Sequence, residues 1–525
     1  MHLRALLLLS VLIGGQIVAQ NFIPDPSFGI NGVAVQSGPQ PYNGATPLVM
    51  ETLPDGSFIS LHTAGVEAIK VMRCTSNGEP DSAFAENGHY VLAPTSVSLI
   101  PSGLVVGLDG KIIITATGIV QGINGPKIFL CQLLPNGEPD PTFGVNGLLS
   151  HDVPVYQVLS DAAIQPDGKI LVAGGSSSSM FVARFLPNGA LDETFAMEGI
   201  GLYSPPGYAT SARTIGSGPD GSIYIGGYRS VGMDATAWAV AKTTPNGSLD
   251  PSFGDNGFFI MDHVPDQQSI SNKPENVLDL SVLDNGSVMV GGYVALSDTW
   301  ERLAVMKLTP NGQPDPAFGD NGKLYAGTHA DGRYSGRKLL KDPTGYFVLL
   351  GHMRTLSNEV AAVILAFDGI GTVLDQNGTN SPFHYEPPII MGTTVAGTFD
   401  NQGRLIVAVS HWNQPAVRSS FTAFTFDLSV GMTDHARSTI GLSAWPNPTS
   451  GALSVSYELQ HRSEVTIDLV DATGRRVARS LVQAPRNMGI HTEQIMLDPA
   501  LTNGLYFIDL NNGTDHWSRS VLIDR

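Results

Sequence analysis

Charge is scarce in this chain. Asp, Glu, Lys and Arg together make up 14% of its 525 residues, against roughly 25% in an ordinary soluble domain. Positive charge is scarcest: 29 Lys and Arg stand against 47 Asp and Glu, for a net charge of −18. That excludes the broad basic face a nucleic-acid partner needs. It also argues against docking on an anionic membrane surface, and leaves solubility as the plain use of the acidity. Cysteine is nearly absent, with only Cys74 and Cys131. They fall in equivalent strands of neighbouring repeats, three residues before Asn77 and five before Asn136, an even offset that lets both face the same side. In adjacent sheets their Cα atoms exceed the ~7 Å a disulfide tolerates, so two buried free thiols are expected. Beyond the N-terminus no apolar run approaches the ~20 residues that span a bilayer. There is no HExxH, no Cys-x-x-Cys, no phosphate loop and no Gly-x-Ser-x-Gly elbow. The 13 histidines are scattered.

What is present is glycine, 59 residues, with 35 prolines and a 42% apolar share. Many turns, few charges and no sustained helical period indicate an all-β chain with enough apolar mass for real cores. Residues 1–19 read as a signal peptide: Arg4 is the basic start, Leu6 to Ile13 the apolar stretch, Gly14 and Gly15 its break, and Ala19 the small residue before the cut. Ile17 is a poor fit at the third position before it. No cysteine lies near the cut for lipid attachment.

The body repeats itself. The unit is Pro-Asn-Gly, two residues, Asp-x-x-Phe and often Gly-x-Asn-Gly: PNGEPDPTFGVNG from Pro135, PNGSLDPSFGDNG from Pro245, PNGQPDPAFGDNG from Pro310. Variants start at Ser76 and Pro187, and a first copy, DPSFGING, at Asp25. The motif pairs are Asp25 and Phe28, Asp81 and Phe84, Asp140 and Phe143, Asp192 and Phe195, Asp250 and Phe253, Asp315 and Phe318. Between them fall seven tight turns flanked by apolar strands, with glycines at 56, 110, 168, 221, 286, 345 and 403. A seventh motif is degenerate: LDQNG at Leu374 keeps Asp375 and has lost the phenylalanine.

Asp-Gly and Asn-Gly between apolar runs predict primed hairpin turns. Runs such as IIIT and ILVAG predict strands buried on both faces. In Asp-Pro-Ser-Phe-Gly the aspartate is expected to cap a single turn, with Pro entering and Gly leaving it, and the Phe driven between adjacent sheets. Four strands per unit, repeated radially, predict a β-propeller of about seven blades over residues 20–430; an open solenoid is the alternative. A polar or basic column at Arg73, Gln132, Arg184, Lys242 and Lys307 either lines one face of the ring or protects edge strands with charge.

These units resemble the delta-60 repeat, a family of propeller-like repeats with the same Asp-x-Ser/Thr-Phe-Gly signature; it brings no agreed activity. The repeated aspartates are read as turn-forming, because an active site is normally unique within a fold. Oxygen-rich turns suit calcium, but nothing follows the EF-hand pattern, so no metal and no cofactor is assigned. Sialidase-like propellers also carry Asp-x-Gly hairpins but follow them with Thr-Trp, where this chain has SF, KI, SI or SV.

After a linker at 431–440 the pattern changes. Leu453, Val455 and Tyr457 alternate, and six or seven short strands over 441–525 predict a small Ig-like β-sandwich. Pro446, Asn447, Pro448 and Gly451, then IDLVDATGRRV with Asp471 and Gly474, then Gly504 and Tyr506, resemble the type A sorting domain of the type IX secretion system. The resemblance implies Sec export through the periplasm, transfer by the type IX translocon, cleavage by its sortase-like peptidase, and a secreted or outer-surface location. No catalytic residue is identified. The reading is an exported binding or structural module, with a surface glycan or protein as its ligand. The alternative is a polysaccharide-acting hydrolase with carboxylates meeting in the propeller channel.

Overall fold

The computed structural model describes residues 22–426 and 443–523, apart from 31, 37–44, 65–67, 124, 153–157, 177, 231–235, 263–274, 298–299, 328–332, 355–359, 375–381, 386–390, 412–417, 446–448, 450, 460–461, 472–475, 502–503 and 513–515. The signal segment 1–19 and the linker 431–440 lie outside the described residues. The chain divides into two units, residues 22–375 with 379–426, and a second that includes 443–523. Among the described residues every regular element is a strand.

Seven antiparallel sheets form the first unit. Six contain four strands in chain order and are numbered here blades 1 to 6: residues 45–92, 97–152, 158–203, 210–261, 276–326 and 333–385. Blade 7 takes three strands from 391–426. Its outer edge comes from the N-terminal strands Phe22–Pro24 and Val33–Gln36, both paired with Arg418–Phe426. The first Asp-x-x-Phe copy therefore belongs to the last blade. The first strands of successive blades pack side by side around a closed ring, Met391–Phe399 returning against Ala45–Thr52. Closure covers the two end faces that an open solenoid would have to cap, and leaves each blade only short edges.

The hairpin turns are not of the primed type. In Leu53-Pro54-Asp55-Gly56 the left-handed residue is Gly56, at φ 82°. Its N–H donates to the Leu53 carbonyl at 2.9 Å, and the Leu53 N–H donates to the Ser57 carbonyl at 2.8 Å. This is a type I turn closed by a left-handed glycine, the three-residue hairpin loop, and Pro54 presets φ for its second position. Primed geometry appears instead in Gly-x-Asn-Gly. Asn256 and Gly257 both have positive φ, 51° and 94°, between Asp255 and Phe258, which exchange backbone hydrogen bonds.

Each apolar cluster bridges two neighbouring blades. Leu61, Val71 and Phe84 of blade 1 pack with Ile114, Cys131 and Leu133 of blade 2, while Cys74 joins Phe421 and Ala408 of blade 7. Both thiols face the preceding blade, with a whole sheet between them. They are free and buried, and burial pushes each up to about 12.

The second unit has two antiparallel sheets, one of strands Ser443–Trp445, Ala452–Leu459 and Gly489–Met496, the other of Arg476–Arg486, Ser463–Asp471, Gly504–Asn511 and His516–Ile523. Leu453, Val455, Tyr457 and Leu459 from the first meet Val465, Ile467, Ile508 and Val521 from the second in one core. Tyr506 is buried in it, and Asp471 is its partner in register. Gly504 pairs with Ile523. The Gly451 carbonyl accepts the Leu497 N–H at 2.8 Å. Pro446, Asn447, Pro448 and Gly474 lie outside the described residues.

Candidate functional site

The repeated motif is the joint between blades. At Asp25, Asp81, Asp140, Asp192, Asp250 and Asp315 the carbonyl accepts the N–H of the motif phenylalanine at 2.9–3.1 Å. The carboxylate accepts the N–H two residues on at 2.9–3.2 Å. Phe28, Phe84, Phe143, Phe195, Phe253 and Phe318 are each at most 1% exposed. Each ring lies against a turn glycine of the next blade: a Cβ on Gly137 would stand 2.7 Å from the Phe84 ring, closer than any side chain allows. In five of the six the residue after Phe then donates to that turn, as Ala85 does to the Asn136 carbonyl at 2.7 Å.

Each of these aspartates also meets a cation, and the basic column supplies only some of them. Arg73, Arg184, Lys242 and Lys307 pair with Asp81, Asp192, Asp250 and Asp315 at 2.9–3.1 Å. They are largely buried, with side chains 5–16% exposed, so the column neither lines a face of the ring nor guards an edge. They reach on to the next blade, Arg73 donating to the Pro135 carbonyl at 3.0 Å and Lys307 to that of Gly369 at 3.4 Å. Where the column lacks a cation, the residue after the hairpin glycine provides one. Gln132 is answered by Lys111, 2.8 Å from Asp140, and Ala423 by Arg404, 2.8 Å from Asp25. The Lys111 ammonium, with the Thr142 hydroxyl, brings the Asp140 carboxyl down to about 2.

Blade 6 corrects the sequence reading. The residue in the register of the motif aspartate is Leu374, whose N–H donates to the Ala366 carbonyl at 2.8 Å, as Asp315 donates to Lys307. Asp375 lies outside the described residues.

The central channel departs from this repetition. A β-bulge interrupts the first strand of every blade. The residue eight before each hairpin glycine lines a channel cavity of about 540 Å³: Leu48, Ser102, Ser160, Arg213, Leu278, Arg337 and Val395. One residue later the ring reads Val49, Gly103, Asp161, Thr214, Asp279, Lys338 and Ala396. Four consecutive blades are polar there and the other three are not.

The polar arc is hydrogen-bonded across blade boundaries. Asp161 accepts the Ile215 N–H of blade 4 at 3.0 Å, and Asp279 that of Leu339 in blade 6 at 2.8 Å. The Thr214 hydroxyl lies 3.0 Å from Asp161 and 3.2 Å from Asp279, and Lys338 pairs with Asp279 at 3.2 Å. Burial, and then the neighbouring Asp279 charge, push the Asp161 carboxyl up to about 6. Burial likewise raises Glu51, further along the same channel. One hydroxyl proton cannot serve both carboxylates at once.

Toward the end where the first strands begin, the cavity wall carries Arg213, Arg337, Asn276 and Tyr293. Both arginines are exposed. Arg213 lies over the Tyr228 ring at 5.3 Å, and the Asn276 amide donates to the Tyr293 hydroxyl at 3.1 Å. Sequence reading missed these residues because they lie in strands outside the motif. The available signal was the column seven and eight residues before each hairpin glycine, where apolar residues give way to charge.

Comparison with known proteins fits this geometry. Residues 108–143, 165–195, 218–253 and 283–318 match a β-propeller domain of unknown function, DUF5122. Residues 443–524 match the secretion system C-terminal sorting domain. No curated protein matches the chain. Among solved structures, it is similar to prolyl oligopeptidase B from Galerina marginata at 14% identity, over 79% of this chain and 56% of that one, with a TM-score of 0.42. The chain thus spans little more than half of that enzyme. It is similar to the α-L-arabinofuranosidase Arb93A from Fusarium graminearum at 9% identity, covering 77% and 98%, TM-score 0.37. For PorZ, a surface component of the type IX secretion system of Porphyromonas gingivalis, the figures are 11%, 94%, 86% and 0.17.

Proposed function

We propose that this propeller of DUF5122 repeats, brought to the outer surface or secreted by its type IX sorting domain, is a binding module whose ligand enters the central channel beside blades 4 to 6. The observation that carries this is the broken symmetry of the channel. Six of the seven blades repeat the aspartate–cation joint, which is what a scaffold needs. The channel instead differs from blade to blade, placing Thr214, Asp279, Lys338 and two exposed arginines on one side. Its volume lies within the 300–1,000 Å³ usual for small-ligand sites.

One observation favours the hydrolase alternative: Asp161 and Asp279 share a hydroxyl while burial raises the Asp161 carboxyl, and two carboxyls in different environments suit acid–base cleavage of a glycosidic bond. The binding reading is preferred because both carboxylates are committed to backbone N–H groups of the next blade. Exposing the purified full chain to polysaccharides and peptides in a thermal-shift screen tests both. A ligand at about 100 times its Kd should stabilise the fold by about 2.7 kcal/mol. Turnover of a bound glycan, lost in Asp161→Asn, would instead establish the hydrolase.

A further inference from the structure

We propose that the arginine-lined end of the channel binds an acidic sugar residue, its carboxylate held between Arg213 and Arg337 and one of its hydroxyls donating to Asn276. This deepens the binding reading above and rests on it.

The cations come first. In a chain of net charge −18, the cation of each of the six joints is paired with a carboxylate. Arg213 and Arg337 line the cavity without such a partner: among the described residues neither forms an ion pair, and burial and then the like charge of Arg213 both disfavour the charge on Arg337. Two like charges facing one cavity repel, and an anion between them relieves that repulsion. Guanidinium groups suit this because their planar N–H fork matches a carboxylate.

Asn276 adds an independent requirement. It is 8% exposed and lines the same cavity. Its amide N–H is used on Tyr293, but its Oδ1 is buried without a hydrogen-bond partner. A buried acceptor left unmet destabilises the fold, and a ligand donor removes that cost. The ligand must therefore present an anion and a hydrogen-bond donor close together. A uronate ring does so, with a carboxylate and adjacent hydroxyls, and Tyr293 lines the same cavity. The neighbouring Lys338 is already paired with Asp279.

The test is calorimetric titration of the full chain with tetrasaccharides of galacturonate, glucuronate and mannuronate, their methyl esters, neutral glucan and galactan tetrasaccharides, and hexaglutamate. At least one uronate should bind, its methyl ester at least tenfold more weakly. Arg213→Ala and Arg337→Ala, at exposed positions, should each weaken it tenfold or more with melting temperature unchanged; Asn276→Leu should weaken it as well. Equal binding of acid and ester, or unchanged affinity in both arginine variants, overturns the proposal. Hexaglutamate binding as tightly as the best uronate moves the ligand to acidic peptides and overturns the sugar assignment. Binding of neutral glycans alone overturns it while the binding module stands, and no binding by any probe counts against both.

Discussion

Leu374 donates its backbone N–H to the carbonyl of Ala366 at 2.8 Å, and these two apolar residues occupy the places that an aspartate and a cation hold in the other repeats. Both lie in or against the core between blades 6 and 7. The joint therefore exists in two chemistries on one backbone, an ion pair in a closed setting and a hydrocarbon contact. Replacing a buried ion pair by apolar groups is often neutral or favourable, whereas removing one partner is not.

That contrast can be measured in blade 2. Lys111→Met alone strands Asp140, which is 1% exposed, and should cost about 2–4 kcal/mol in denaturant unfolding. Lys111→Met with Asp140→Leu should cost less than the sum of the two single changes, with a coupling of about 0.5–3 kcal/mol. Strict additivity would mean that the pair does not act as a unit.

Ala85 and Ala196 stand at φ 45° where the equivalent residues of blades 2, 4, 5 and 7 are glycine. A left-handed alanine costs roughly 1–2 kcal/mol, part of which glycine returns through its greater freedom in the unfolded chain. Ala85→Gly and Ala196→Gly should each stabilise the propeller by about 0.5–1 kcal/mol, read as a higher melting temperature. A lower one would show that the methyl group packs favourably.

Acid should weaken the joints. The folded Asp140 carboxyl, held by Lys111 and Thr142 at about 2, lies below its unfolded range near 4. Its contribution is complete above that range and is lost as pH falls toward 2. Asp161 runs the other way: raised to about 6, it contributes below its unfolded value and loses that contribution as pH rises through 6. Melting temperature against pH should show the acid limb shrink in Asp140→Asn and the near-neutral limb flatten in Asp161→Asn.

Deleting residues 441–525 should leave the propeller in the periplasm, because the sorting domain is what the type IX machinery reads. Cell fractionation checks this, and surface delivery of the truncated chain would refute it. Mass spectrometry of the exported form should find the sorting domain removed.

The sequence by itself determined the all-β class, the period, the export signal in 443–524 and the phenylalanine wedges. These depend on local turn chemistry and on side chains repeated at fixed spacing, and Asp-x-x-Phe can be read from one unit at a time. It misplaced the primed turns, because Asp-Gly serves both two- and three-residue loops and only the pairing of the flanking residues, Leu53 with Ser57, decides how many the loop holds. Tertiary structure alone decided three things. It gave the first motif copy to the last blade, since ring closure pairs Phe22 with Phe426 across the whole propeller. It showed Lys111 and Arg404 standing in for Gln132 and Ala423, because two columns distant in sequence converge on one carboxylate. It also brought Arg213, Asn276 and Arg337 to a single cavity, a convergence that no local pattern encodes because each comes from a different blade and they meet only when the ring is closed.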